Sequence, residues 1–194
     1  MAQLNVWLRQ PESEYLEFIA SAFADVDHLV GRRPAPRHKD EQVHNVAKAV
    51  CSMLNTEGGT IVIGVAELDQ YTQEELDGPY GYPPKVGSRS VIGIAAEYTK
   101  PSGWENYRLA LRRQLQNTIE GELDGWVDLQ HVTTPENREL CVIRLRRPPD
   151  YYYVKGPRRG MGDTFYVRTG SETRPLVGRA TDTFREAHPR SLAE

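Results

Sequence analysis

The sequence predicts a mixed α/β or α+β fold in which helices pack on a mixed β-sheet, and three observations predict it. The stretch Ser52-Met-Leu-Asn-Thr-Glu-Gly-Gly-Thr-Ile-Val-Ile-Gly-Val65 carries a helical run through a polar glycine turn into a short strand, apolar on both faces. Residues from Glu41, and again from Trp104, repeat apolar side chains at helical spacing. Two strand-like runs flank the turn Pro135-Glu-Asn-Arg138 as an antiparallel pair. Strands and helices that alternate, then give way to consecutive strands, suit this class.

Each element has its own reason. Residues Glu14 to Ala22 read two ways: Tyr15, Phe18, Ile19 and Ala22 have helical spacing behind a capping Ser13, whereas Glu14, Leu16 and Phe18 alternate with Tyr15, Glu17 and Ile19 as in a strand. Periodicity alone leans slightly to helix. Gly31 to Lys39 is a basic, proline-rich loop, and Asp40 caps a helix from Glu41 to about Leu54. Its stripe is Val43, Val46, Ala47, Val50, Cys51 and Leu54. Thr60 to Val65, nearly all apolar and β-branched, is a central strand. Asp77 to Ser88 is a long Gly/Pro/Tyr loop. Trp104 to Ile119 is a second helix with Trp104, Tyr107, Leu111, Leu115 and Ile119 inward. Gly125 to Val132 pairs with Leu140 to Leu145. Tyr151 to Val154 and Thr164 to Arg168 are further strands joined by Gly156 to Gly162, and Thr181 to Ala187 is a final short helix. The chain has no internal repeat.

Composition narrows the class. The 194 residues suit one domain, 1–194, and 39% hydrophobic with 26% charged residues suits a soluble globular protein. No apolar run approaches the roughly 20 residues of a membrane helix. The first residues lack a basic patch followed by an apolar core, so the expected location is cytoplasmic. Cys51 and Cys141 read as small buried residues, and none of the five histidines has zinc-ligand spacing. No zinc is expected. The net charge of −3 argues against indiscriminate polyanion binding, but Arg138 to Arg179 holds ten Lys/Arg against four Asp/Glu. That excess suits contact with phosphates, or equally a solvated sheet face.

Three blocks share the pattern of one family. They are Glu12-Ser-Glu-Tyr-Leu-Glu-Phe18, the run Val46 to Val65, and Phe165-Tyr-Val-Arg-Thr-Gly-Ser-Glu-Thr-Arg-Pro-Leu176. Together they resemble the Schlafen-type, Alba-like DNA-binding domain, whose bacterial members often carry older labels as divergent ATPases or ATP-binding proteins. The resemblance spans about Glu12 to His188 and implies a strand for the first block and nucleic-acid binding, to RNA or DNA, for the whole. In animal Schlafen proteins the same domain resembles a divalent-metal-dependent endoribonuclease. Carried over, its acidic site implies Glu12 and Glu17, with Mg²⁺ or Mn²⁺ as cofactor. The third acid falls where this chain has Gly64-Val-Ala-Glu-Leu-Asp69, so Glu67 takes that place, with Asp69 behind it. The family's usual lysine after Glu-Phe is Ile19 here. Schlafen proteins carry two related lobes, so the resemblance also implies that a homodimer supplies the second.

The chemistry sets conditions on these candidates. A divalent ion needs carboxylates that converge, yet residues five apart on a straight strand face opposite ways. Glu12 must therefore lie in a turn that folds back, next to Pro11. Otherwise the acids are surface charges paired with arginines. For nucleic-acid binding the candidates are Arg144, Arg146, Arg147, Lys155, Arg158, Arg159 and Arg168, with Arg144 and Arg146 sharing one strand face. Tyr151, Tyr152, Tyr153, Tyr80 and Tyr82 are candidates for base stacking or for core packing. Asn55, Thr56, Gly58 and Gly59 form a candidate phosphate turn, or simply end the helix. The turn has no Gly-Lys-Ser/Thr ending and is not a P-loop, so ATP is not expected. A protein-interaction or nucleotide-binding domain is the remaining alternative.

Overall fold

The computed structural model describes residues 2–98, 103–156 and 162–190. In chain order the elements are α1 (Ala2–Trp7), β1 (Leu16–Ile19), α2 (Val26–Leu29), α3 (Lys39–Asn55), β2 (Gly59–Ile63), β3 (Val65–Glu67), α4 (Gln73–Tyr80), β4 (Lys85–Val86), β5 (Arg89–Val91), α5 (Gly103–Thr118), β6 (Ile119–Glu120), β7 (Val127–Thr133), β8 (Glu139–Leu145), β9 (Tyr153–Val154), β10 (Phe165–Thr169), β11 (Glu172–Leu176) and α6 (Arg179–Ala187). The fold is α+β.

The main sheet runs β1-β2-β8-β7, with β1 and β2 parallel and the other pairs antiparallel. Residues opposite one another share a face. One row is Leu16, Thr60, Arg144 and Asp128, and the next is Glu17, Ile61, Ile143 and Leu129. The second row's apolar members meet α3 and α5 through Val46, Val50, Leu111 and Leu115. The other face packs Phe18, Val62 and Val142 against Leu4 and Leu8. Ile61, Val62 and Ile63 are therefore buried from both sides. Each such side chain contributes about 1.5–3 kcal/mol of burial free energy.

Several boundaries differ from the sequence reading. Block one contributes a strand, as the resemblance implied, but over Leu16–Ile19 (β1) rather than Glu14 to Ala22. The first long helix begins at Lys39, not Glu41, and its cap is His38, whose Nδ1 accepts the Asp40 N–H at 3.4 Å. Asp77 to Ser88 is not all loop, because α4 runs through Tyr80. A capping box formed by Thr72 and Glu75 starts it, and the left-handed Gly81 ends it. The strand from Thr60 breaks at Gly64. Val65 then pairs with Val91 in a separate antiparallel sheet, β3-β5-β4, which positions Glu67 opposite Arg89.

Candidate acidic cluster and nucleic-acid interface

The acidic cluster is built on the free edge of β1. Ser13 and Leu16 exchange backbone hydrogen bonds, the Ser13 N–H donating to the Leu16 carbonyl at 3.0 Å. This turn folds the chain back, so that Glu12 Oε1 accepts the Phe18 N–H at 2.8 Å. The five-residue spacing is thereby reconciled, since Glu12 lies outside the strand and blunts its open edge. Glu17 is ion-paired with Arg168 of β10. Arg168 also donates to the Ser13 carbonyl (3.1 Å), Thr173 Oγ1 (3.2 Å) and the Leu16 carbonyl (3.4 Å). From the other side, Arg89 Nη2 lies 3.4 Å from Glu67 Oε1, while its Nη1 donates to the Leu8 and Gln10 carbonyls. The Arg89 guanidinium lies 3.9 Å over the Phe18 ring.

The three carboxylates feel one another. Burial raises the Glu12 carboxyl above its ordinary value; the Phe18 N–H opposes this and the Glu67 charge adds to it. Glu17 is pushed up to about 7, first by burial and then by Glu12, with Arg168 pulling the other way. Burial outweighs the ion pair because the Arg168 side chain and most of Glu17 are withdrawn from water. Glu67 is the acid that joins Glu12 and Glu17; Asp69 is exposed outside the group. Among the described residues, no three His, Cys, Asp or Glu side chains are arranged to hold a metal ion. Each carboxylate is already turned to a donor from within the fold, and in this arrangement they do not fit a divalent ion. Ile19, where the family has lysine, packs on the core.

The arginine-bearing hairpin does not face that cluster. Arg144 shares the face of Leu16, whereas Glu17 points from the opposite one. Arg144 is half-buried, with its guanidinium 5.2 Å from the Trp7 ring and its Nε donating to Gln130 Oε1 at 3.1 Å. β8 ends at Leu145, and just past it the Arg146 N–H donates to the Trp126 carbonyl at 2.9 Å, in register with the β7–β8 pairing, so Arg146 follows Arg144 across the buried Leu145. It is exposed and donates to the Gly125 carbonyl at 2.6 Å. Arg147 turns to Glu57 at 2.6 Å and to the Pro189 carbonyl at 3.4 Å. Lys155 is exposed elsewhere, beside α3 and α5. Arg158 and Arg159 lie outside the described residues. Arg168 is corrected from a phosphate contact to a structural cation, because it is 5% exposed and spent on Glu17 and backbone carbonyls.

The phosphate turn is also corrected. Asn55 is 1% exposed, and its amide donates to the Tyr152 and Tyr166 carbonyls (2.8 and 2.9 Å) while its oxygen accepts the Tyr152 N–H (2.8 Å). It ties two neighbouring segments to the end of α3. Thr56 Oγ1 donates back to the Ser52 carbonyl at 3.0 Å. Gly58, at φ +79°, lies against β8, where a Cβ would come 2.4 Å from the Leu145 oxygen. A Cβ on Gly59 would come 2.9 Å from the Tyr15 oxygen. The glycines admit neighbouring backbone, not a ligand. Of the tyrosines, Tyr152 and Tyr80 are core residues, Tyr151 and Tyr153 pack on Phe165, and Tyr82 is exposed.

Two residues of consequence went unread. Arg89 had a faint signal, a lone cation inside the strand-like run Ser88-Arg-Ser-Val-Ile92. Glu97 had none. It sits on a 3-10 turn, Ala95–Glu97, and its Oε2 accepts the Ala22 and Phe23 N–H groups at 3.1 and 2.6 Å. Burial pushes its carboxyl up to about 7, and Oε1 is buried with no hydrogen-bond partner.

A four-stranded mixed sheet, covered by helices on both faces and carrying an arginine-clamped acidic turn on its parallel edge strand, defines an α+β domain of a particular kind. The chain belongs to the Schlafen, AlbA_2 family, whose model matches residues 12–177. That span takes in all three motif blocks and places the chain among domains associated with nucleic acid. No curated protein matches it. No helix among the described residues is long and apolar enough to cross a membrane.

Proposed function

We propose that this chain is a nucleic-acid-binding domain that holds RNA or DNA without cleaving it. The observation that carries this reading is that Glu67 and Glu17 are paired from within with Arg89 and Arg168, and Glu12 accepts the Phe18 N–H. Meanwhile Arg146 and Lys155 stand exposed on a domain of a nucleic-acid-associated family. Binding through such cations follows the phosphate backbone, so it weakens with salt and discriminates little between sequences. The test is a polarisation assay with single-stranded RNA, duplex DNA and tRNA at two salt concentrations. Binding at low salt that weakens at high salt, with intact substrate recovered in the presence of Mn²⁺, is expected. No binding at low salt refutes the proposal. Light scattering checks the accompanying homodimer reading, which fails if the mass is that of one chain.

One observation favours a second reading, a divalent-metal-dependent endoribonuclease: Glu12, Glu17 and Glu67 are gathered closely enough that the charges of Glu12 and Glu67 add to the rise that burial imposes on Glu17. Glu12 and Glu17 would then be released from Phe18 and Arg168 when substrate binds. Cleavage of tRNA with Mn²⁺ that disappears in Glu17→Gln would install this reading in place of the first.

A further inference from the structure

The polar face of α3 and the last turns of α5 enclose an open groove of about 980 Å³, lined by His44, Lys48, Gln114 and Lys155 among others. Gln114 also lines a second cavity of about 270 Å³, walled by Phe23, Tyr107 and Ala110. The two spaces adjoin through that side chain. The chain carries a net charge of −3, yet among the described residues lining the two spaces Lys39, Lys48, Arg113 and Lys155 meet two exposed acids, Asp40 and Glu41. Arg37 also lines the groove, but it is paired with Asp27 at 3.3 Å. The surplus cations are therefore the lysines and Arg113.

The two cavities differ in chemistry. The larger is broad, wet and edged by cations, as a sugar-phosphate path requires. The smaller has an aromatic wall, in which the rings of Phe23 and Tyr107 meet edge to face with centroids 5.3 Å apart. Glu97 lines it too, with the unpartnered buried oxygen described above. A flat ring bearing an amino group offers both the stacking surface and the donor that this wall lacks.

We propose that the paired cavities bind a nucleotide unit, with its base in the Phe23–Tyr107 cavity and its phosphate in the groove beside Lys48 and Lys155. This rests on the nucleic-acid reading above and names the surface that performs it, between α3 and α5, away from the acidic edge of β1. The unit is either a free nucleotide or one residue of a single strand.

The experiment follows a fluorescein-labelled single-stranded RNA by polarisation at about 50 and 200 mM salt, competed with adenosine monophosphate and with inorganic phosphate. Lys48→Gln/Lys155→Gln is expected to weaken binding on the order of tenfold and to flatten the log–log salt slope by about 0.7, one phosphate on a single strand. Ala110→Trp, a substitution at an exposed helix position that fills the smaller cavity, is expected to weaken binding about tenfold with the salt slope unchanged. Lys85→Gln/Arg179→Gln, at exposed positions of β4 and α6 that line neither cavity, serves as the control and is expected to bind as the parent does. Competition by the monophosphate identifies a free nucleotide as a sufficient ligand; binding of the strand alone identifies the polymer. If both cavity variants bind like the parent protein, the proposal is overturned and the nucleic-acid reading stands. Displacement by inorganic phosphate as strong as that by the monophosphate overturns the base cavity. If the parent binds neither the single-stranded RNA nor the monophosphate, this proposal falls, and the nucleic-acid reading falls with it only where duplex DNA and tRNA also fail to bind at low salt.

Discussion

Arg168→Met isolates the claim that the acidic trio is held by internal cations. The Arg168 side chain has no exposure and that of Glu17 only 19%, so solvent does little to replace the lost partner. Removing one member of a buried pair costs about 3–5 kcal/mol. The three hydrogen bonds to Ser13, Leu16 and Thr173 go with it, which places the loss toward the upper end. The loss depends on pH. Arg168 opposes the rise of the Glu17 carboxyl, so its removal lifts that pKa beyond about 7. At pH 5 Glu17 is already protonated in both proteins, and at pH 8 only the variant must bury an unpaired charge or hold a proton against the solvent. Urea unfolding followed by tryptophan fluorescence at both pH values is expected to show the larger deficit at pH 8. Adding Glu17→Gln is expected to recover about 2 kcal/mol or more of it, as a coupled pair does. Additive losses, within about 0.5 kcal/mol and equal at the two pH values, would refute the internal clamp.

Glu97 and Asn55 give two further tests. Glu97 is raised from 4.5 to about 7 in the fold, so its contribution is fully present below pH 4.5 and is lost as pH rises through 7; over that window it amounts to about 3 kcal/mol. Glu97→Gln is expected to flatten this dependence, gaining on the parent protein from pH 5 to pH 8 in parallel thermal melts, and a constant difference across the range counts against it. Asn55→Ala strands the Tyr152 N–H and the Tyr152 and Tyr166 carbonyls, with an expected loss of about 3 kcal/mol. RNA affinity at a temperature where the variant is folded is expected to be unchanged, and a selective loss of affinity would restore the phosphate turn.

The sequence was most legible where one periodicity covered a whole element. Val43 to Leu54 and Trp104 to Leu115 read as helices because their stripes meet one continuous core. β2 read as central because Ile61 to Ile63 have no polar face. The 125–145 hairpin read from its turn. Short elements did not: β3, β4 and β5 have three residues or fewer and take their form from pairing across Gly64 and Ser88. β11 carries Pro175 and has mostly exposed side chains. At the site, the fold-back of Glu12 followed from the resemblance together with the spacing, since two carboxylates five apart meet only outside a straight strand. The partners of Glu12 and Glu17 did not follow. Arg168 belonged to the third motif block, but nothing local marks an arginine as buried.

The motif blocks and the binding surface divide along burial. Glu17, Asn55, Gly58, Gly59 and Arg168 give the strongest sequence signal, and each is occupied in joining strands and helices. A buried carboxylate or guanidinium must have its partner, so its identity and spacing are constrained and it becomes readable. Lys155 and Arg113 are exposed and Lys48 is half-buried; Lys155 lies just past β9, and Arg113 and Lys48 lie within α5 and α3. A phosphate contact asks only for a cation within reach, from whichever residue can supply it. The pattern that assigns this chain to its family is thus chiefly the signature of a fold with an edge-protected β1. On the proposal above, what the domain grips would be decided on the helical side of the sheet, where Lys48 and Lys155 lie outside the core clusters.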